Sequence, residues 1–533
     1  MVAPSPASPV RRIPALMPAH LALRLLCTLV GAVFAAPAVL VLVRAASLGT
    51  DLAPLARQLG GPLWRSIQLA VLVSVTAAGV GTLLAWLLTR TDLPGRRLWR
   101  GLLLLPLVLP SFVGAAAFIA GLAPGGVLHL ALDGVGIAPP RRFRGLGAAW
   151  LVLSAFTYPY VLLPVSARLS TVPQSLHDSA RLLGHSAWST FVRVTVPHIR
   201  ASVAASTLLV FLYTLSEFGA VQLVGYDTLT RVVYASRLVD RPTSFGAAAL
   251  LAVLATGVVL GERRLRGRPR PDDGIALVPG RPISLGWAVA PTTAACALVA
   301  AIGLLVPLAS LGLWAQRGIA TGRVDPGQLI GPARATAAVG MAAAVLAVIA
   351  VLPVATASVR HPRPSAGLAS LGVAGGFAVP GLVIALSLAY LTLNAPLLGR
   401  FYQSAGLLVV AYVVHFGVQA LGPDEQGVRS VPEPVRESAA LLEPTRWRRV
   451  ARIDLPLMAP NLVAGGGLVL LSTVKELPAT LLLSPIGFST LATTIFNAYE
   501  DGFYAEAGAA SLLLVAVSAV LSWLLVLRRG LAG

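Results

Sequence analysis

Two carboxylates lie inside long apolar stretches, Glu217 in LYTLSEFGAV and Glu476 in LSTVKELPAT. A charge within an apolar span is costly, so it is a functional candidate by default. Glu217 follows Ala201, where its span begins, by 217 − 201 = 16 residues, which puts it about 24 Å along the helix. Glu476 is similarly placed in its own span. Two roles are open to the pair. As pathway-lining groups near the outer mouth they would meet a released cation, because hard cations prefer oxygen ligands. As structural groups, Glu476 would pair with adjacent Lys475 or another helix, and Glu217 would bond backbone at a helix break. His415, also in an apolar span, reads as a satisfied interhelical residue, and Tyr158 and Tyr160 around Pro159 read as packing.

Other chemistries lack their residues. No GxxxxGK[ST] occurs, and Lys475 is the sole lysine, so Walker-type phosphate cradling is absent from this chain. Cys27 and Cys296 lie in apolar runs without CxxC or zinc spacing, which implies neither a disulfide framework nor a structural metal. There is no HExxH, paired-Asp motif or nucleophile elbow with plausible partners. Any ATP hydrolysis on which this chain depends is therefore carried out by another polypeptide.

The elements that position the carboxylates are membrane spans. The 533 residues are 56% hydrophobic and 12% charged, against about 25% charged in soluble domains. An all-α membrane protein follows, with twelve candidate spans near 25–43, 67–88, 102–122, 148–166, 203–224, 244–260, 286–312, 335–355, 367–392, 404–421, 459–483 and 507–527. The +20 formal charge reads as cytoplasmic-loop arginine and not as a nucleic-acid surface. Arg11–Arg12, Arg90 to Arg100, Arg263 to Arg270, Arg360 with Arg363, and Arg528–Arg529 fall on one side if both termini are cytoplasmic. Arg141, Arg142 and Arg144 in PPRRFRG oppose that assignment. Residues 1–20 read as a disordered cytoplasmic N-terminus before an uncleaved first helix, 21–260 as one half, 261–284 as a cytoplasmic linker and 285–533 as the second half. Six spans per half is even, so the repeat is parallel.

The repeat is sharpest in two polar loops. PQSLHDSARLLGHSAWSTFVRVTVP (173–197) pairs with PEPVRESAALLEPTRWRRVARIDLP (432–456) at a shift of 259 residues. Glu217 meets Glu476 at the same shift. Upstream, LVLPSFVGAAAF (107–118) is similar to FAVPGLVIALSL (377–388), and GYDTLTRVVY (225–234) to GFSTLATTIF (487–496). Leu176, Ala180 and Leu183 form the stripe of a short amphipathic helix opened by Pro173 and capped by Gly184. A second short helix follows, with Ala187, Phe191 and Val194 on one face. A helix lying on the lipid surface would explain one loop. It would not explain two copies in register.

These loops resemble the cytoplasmic coupling loops of ATP-binding-cassette importer permeases, whose pattern is Glu-Ala-Ala, three residues, Gly, nine residues, Ile-x-Leu-Pro. Asp178, Ser179, Ala180, Gly184, Val194, Val196 and Pro197 carry it in the first half. Glu437, Ser438, Ala439, Ile453, Leu455 and Pro456 carry it in the second, where Glu443 stands in place of the Gly. Glu443 precedes Pro444 and is pushed from helical dihedrals, so the helix is expected to break by another device and the loop to couple with altered geometry. RTDLPGRR (90–97), SEFGAV (216–221), AYVVHFGVQA (411–420) and KELPATLLL (475–483) narrow the resemblance to fused two-half permeases of the ferric-iron type, an architecture shared with thiamine and phosphonate permeases. The resemblance implies the type I importer permease fold in the inner membrane. It also implies two copies of an ATPase subunit that use ATP and Mg, and a periplasmic or lipid-anchored solute-binding protein. It implies no cofactor on this chain.

Overall fold

Within lipid, backbone polar groups have no water to bond, so a spanning chain must satisfy them in helices. The computed structural model describes residues 19–47, 52–140, 142–266, 282–443 and 445–524, and these are helices joined by turns. Among them the sole strand-like pairing is an isolated bridge between Thr91 and Ile283, which ties the end of the linker to the loop after the second span. The rest of the linker, like both chain ends, lies outside the described residues.

The first half comprises α1 (Ala19–Ser47), α2 (Leu52–Arg90), α3 (Arg96–Leu104), α4 (Ser111–Leu122), α5 (Val127–Gly134), α6 (Gly145–Thr157) and α7 (Pro159–Ser170). The first polar loop follows, with α8 (Gln174–Leu182) and α9 (Ala187–Thr190), and then α10 (Val196–Ser216), α11 (Gly219–Leu223), α12 (Leu229–Ser236) and α13 (Arg241–Arg266). The second half repeats the order. It runs through α14 (Val289–Ala300), α15 (Val306–Ala320), α16 (Ile330–Arg360), α17 (Pro364–Ala378), α18 (Gly381–Asn394), α19 (Ala405–Phe416) and α20 (Val418–Arg429). The second polar loop holds α21 (Glu433–Leu442) and α22 (Arg446–Arg449), before α23 (Leu455–Thr473), α24 (Pro478–Leu483), α25 (Leu491–Glu500) and α26 (Tyr504–Ser522). Among the described residues nine helices are long and apolar enough to span, and three bent pairs bring the total to twelve. The fold is all-α, with the same order of spans repeated in the two halves.

Proline explains two of the three bent pairs and three widened turns among the described residues. The third span bends by 97° between α3 and α4, and the ninth by 104° between α17 and α18. Leu109 and Val379 precede prolines and are extended, with ψ of 126° and 129°. Pro110 and Pro380 then cap α4 and α18. Three π-helical turns, Phe191–Thr195, Ala301–Leu305 and Val450–Asp454, share another cause. Each is followed two residues later by a proline: Pro197, Pro307 or Pro456. Proline has no N–H for the residue four back and its ring crowds that carbonyl, so the helix widens there. The first and third turns lie 259 residues apart. They also correct the expected second short helix: α9 continues through the wide turn into α10, so the loop feeds directly into a span.

The first span of each half packs on the other half. On α17, a Cβ at Gly372 would lie 2.4 Å from the Gly31 carbonyl oxygen of α1, so the two helices meet backbone to backbone. Cys27 Sγ donates to the Pro353 carbonyl (3.3 Å) and Ser387 Oγ to the Pro37 carbonyl (2.9 Å). Reciprocally, α15 packs on α4, and Trp314 Nε1 donates to the Ala120 carbonyl (2.9 Å). Residues 111–118 of α4 and 381–388 of α18 are buried throughout, which puts the core where the halves meet.

Candidate functional site

The two polar loops keep their register in three dimensions. Ala180 and Ala439 are buried, whereas Asp178, Ser179, Glu437 and Ser438 are exposed. Val194 and Ile453 are half-buried, and Val196, Pro197, Leu455 and Pro456 are exposed. The expected stripe does not close onto the protein. Of its three members only Ala180 is buried, because α8 ends at Leu182 and the turn throws Leu183 outward. Two leucine pairs therefore stand free at matched positions. Leu182 and Leu183 are 88% and 79% exposed, and Leu441 and Leu442 are 88% and 84% exposed.

The loops leave their first helices differently. Gly184 takes the left-handed conformation (φ 83°), and the Leu183 and His185 N–H groups donate to the carbonyls of Ser179 and Ala180 (both 3.1 Å). This is the glycine-capped helix end expected from the sequence. Glu443 is extended (φ −130°, ψ 95°) and donates its N–H to the Ala439 carbonyl (2.9 Å). Its carboxylate lies 3.7 Å from Arg452. Pro444 lies outside the described residues.

At the far ends of α10 and α23 both spans break at the carboxylates, as the structural alternative for Glu217 expected and the run of hydropathy did not. Glu217 is extended (ψ 129°). Its carboxylate accepts from the Ala220 N–H (2.9 Å), capping α11, and from Ser111 Oγ (2.7 Å). Tyr213 donates to the same Ser111 hydroxyl (3.1 Å). Thr230 donates to the Glu217 carbonyl (2.7 Å). Glu476 repeats the cap on the Ala479 N–H (3.1 Å), and Thr480 donates to its carbonyl (2.8 Å). The side-chain donor is missing in the second half, since Gly381 occupies the position of Ser111. A Cβ on Gly381 would lie 2.6 Å from Glu476 Oε1 and 3.4 Å from His415 Nε2. These partners were hidden in the sequence, although the aligned LPSFVG and VPGLVI segments contained both residues.

The two breaks touch. A Cβ on Gly219 would lie 3.0 Å from Leu477 of the other half, and Phe218 packs on Phe496 at 6.2 Å between ring centroids. Glu217 is partly buried and Glu476 is buried, both beside this junction. Lys475 donates to the Leu107 carbonyl (2.7 Å) and makes no ion pair with Glu476 among the described residues. Its chain direction carries it across the junction. His415 stacks on Phe377 and packs at a tilt against Phe416, and the Tyr158 hydroxyl donates to the Leu103 carbonyl at 2.8 Å. Among the described residues no three His, Cys, Asp or Glu side chains gather into a metal-holding group.

Residues 77–263 and 349–529 both match the family described as binding-protein-dependent transport system inner membrane component. The Fe(3+)-transport system permease protein FbpB 2 of Haemophilus influenzae is 27% identical over 518 residues, 94% of this chain and 97% of that protein. The molybdenum transport system permease protein ModB of Escherichia coli is 29% identical over 208 residues, 37% of this chain and 90% of its own length. The sulfate transport system permease protein CysW of Escherichia coli is 29% identical over 231 residues, 41% of this chain and 78% of its own.

Proposed function

The chain belongs to the binding-protein-dependent transport system inner membrane components, and on that premise we propose how it works. It is a multi-pass permease of an ATP-binding-cassette importer and hydrolyses nothing itself. Its solute is ferric iron, a reading supported by the near full-length likeness to FbpB 2. Two ATPase subunits, which consume ATP and Mg, dock on the loops 173–197 and 432–456. The loops, the linker and both termini face the cytoplasm, and a solute-binding protein delivers on the opposite face. The halves are 21–260 and 285–533.

The matched leucine pairs carry this reading. Four leucines held in solvent at the tips of polar loops are apolar surface waiting for a partner, and burying each is worth about 1.5–3 kcal/mol. Coupling then runs along one continuous path per half. The docked loop moves, the π-helical turn passes the movement into α10 or α23, and the far end of that helix is the break at Glu217 or Glu476. Those carboxylates sit where the halves must part to open a pathway, and there they would face a passing cation. Capture of the ATPase by the full chain tests the docking. L182D/L183D and L441D/L442D should each weaken capture, and together abolish it. Unchanged capture by the fourfold variant would sink the reading. Radiolabelled ferric uptake in cells lacking this chain tests the solute.

A further inference from the structure

The far side of the molecule from the polar loops holds a large cavity. The 21 residues of α10 put it about 32 Å from the first loop. Its volume is about 730 Å³, and its wall is shared between the halves. The first half supplies the end of α4, the loop before α6 and the α11–α12 turn, and the second supplies the α25–α26 turn.

Two of its charged groups, Arg231 and Glu500, are already engaged through Gln222. Arg231 donates to Gln222 Oε1 (3.0 Å) and pairs with Asp227, while Gln222 Nε2 donates to Glu500 (3.2 Å). Arg142 and Arg144 are different. Both line the cavity, both are exposed to it, and neither makes an ion pair among the described residues. Their loop is pinned on either side: Phe143 stacks on Phe118 at 5.9 Å, and the Gly145 N–H donates to the Val224 carbonyl (2.9 Å). Guanidinium groups stay charged at any physiological pH and present a planar fork suited to oxyanions. Two of them fixed in a concave wall concentrate positive potential there. These arginines also run against the charge rule that orients the other loops, which calls for a local reason.

We propose that this cavity is an anion-accepting vestibule, in which Arg142 and Arg144 hold an oxygen-rich anion as solute enters. The anion is either a free oxyanion or the ligand shell of a negatively charged ferric chelate. A bare cation would be repelled. The proposal rests on the importer reading, because it takes this face as the entry side.

The test uses the full chain in nanodiscs of neutral lipid, titrated calorimetrically with orthophosphate and, separately, with ferric citrate. Saturable binding is expected, with R142Q/R144Q weakening it at least about tenfold, the scale of a lost charge-assisted hydrogen bond. Both side chains are exposed, so the substitution leaves the fold intact. Binding of orthophosphate assigns the free oxyanion, and binding of the chelate alone assigns the ligand shell. Failure of both to bind, or equal binding by the variant, overturns the vestibule. ATPase capture by the same preparation reads the premise separately. Capture without anion binding overturns the vestibule alone, and anion binding without capture overturns the importer reading alone.

Discussion

Gly184 offers the cleanest perturbation of the first loop. Its φ of 83° is left-handed, and a Cβ added there would meet nothing within 4 Å. Replacing it with alanine therefore changes backbone energy and nothing else. An L-residue in that conformation costs about 1–2 kcal/mol. If docking requires the glycine-capped shape, its population falls about 5- to 30-fold, and apparent ATPase affinity falls by the same factor. Gly184→Asn should cost less, because asparagine visits the left-handed region more readily. Glu443→Gly should behave differently again. Glu443 has φ −130°, which needs no glycine, and the substitution removes only its pairing with Arg452, a group that is 74% exposed. Such a pair is worth about 0–1 kcal/mol, so affinity should change by no more than a few-fold. The assay is equilibrium binding of the ATPase subunit to the full chain in nanodiscs, with thermal unfolding as control. The loop lies outside the core, so Tm should not move. Binding of Gly184→Ala as tight as wild type would refute the argument.

Ser111→Ala removes the hydroxyl that donates to Glu217 at 2.7 Å, which should cost about 1.5–3 kcal/mol and lower the unfolding temperature. The same change would matter less if Glu217 were held by its bond to Ala220 alone. Gly372→Val places side-chain atoms against the Gly31 carbonyl, where even a Cβ would sit at 2.4 Å. It should prise α1 from α17, and a crosslink between cysteines placed on these helices should form more slowly. Asp240 lies before α13, and its carboxyl is held below the ordinary range, first by the Thr243 hydroxyl and then by the Thr243 N–H. Its contribution is present above the ordinary carboxylate range and is lost as pH falls through the lowered folded value. Hydrogen exchange in the first turn of α13 should accelerate over that acid interval in wild type and show no such step in Asp240→Asn.

Much of the architecture was legible because it follows from local rules. Hydropathy located the spans, and a shift of 259 residues related the loops. Glycine at 184 and glutamate before proline at 443 forecast two different helix ends. What escaped was set by partners distant in sequence. Lys475 looked paired with its neighbour Glu476, yet it reaches Leu107, 368 residues away. Glu217 gained Ser111, 106 residues away. The first spans crossed to the opposite halves through glycines with nothing to mark them. The exposed leucines escaped for another reason: an apolar stripe reads as a buried face, and only coordinates reveal that no face receives it.

The two halves share a skeleton and differ where chemistry would occur. The π-helical turns after the polar loops, the carboxylate caps and the bent third and ninth spans all recur. Against that frame Ser111 faces Gly381, Gly184 faces Glu443, and the pair Arg142 and Arg144 belongs to the first half. A homodimer must duplicate every substitution, so a group useful once is imposed twice at its axis. Fusion of the halves removes that constraint. At the junction, Glu217 is bound by a hydroxyl, while Glu476 packs against the bare backbone of Gly381, where a Cβ would lie 2.6 Å from its Oε1. The first carboxylate is thus held by a side-chain donor and the second by close packing against backbone. Gly381→Ser would set a Cβ against Glu476 Oε1 and push that carboxylate from its place. If that carboxylate must keep its place at the junction, transport should fall in the variant while ATPase capture stays at the wild-type level.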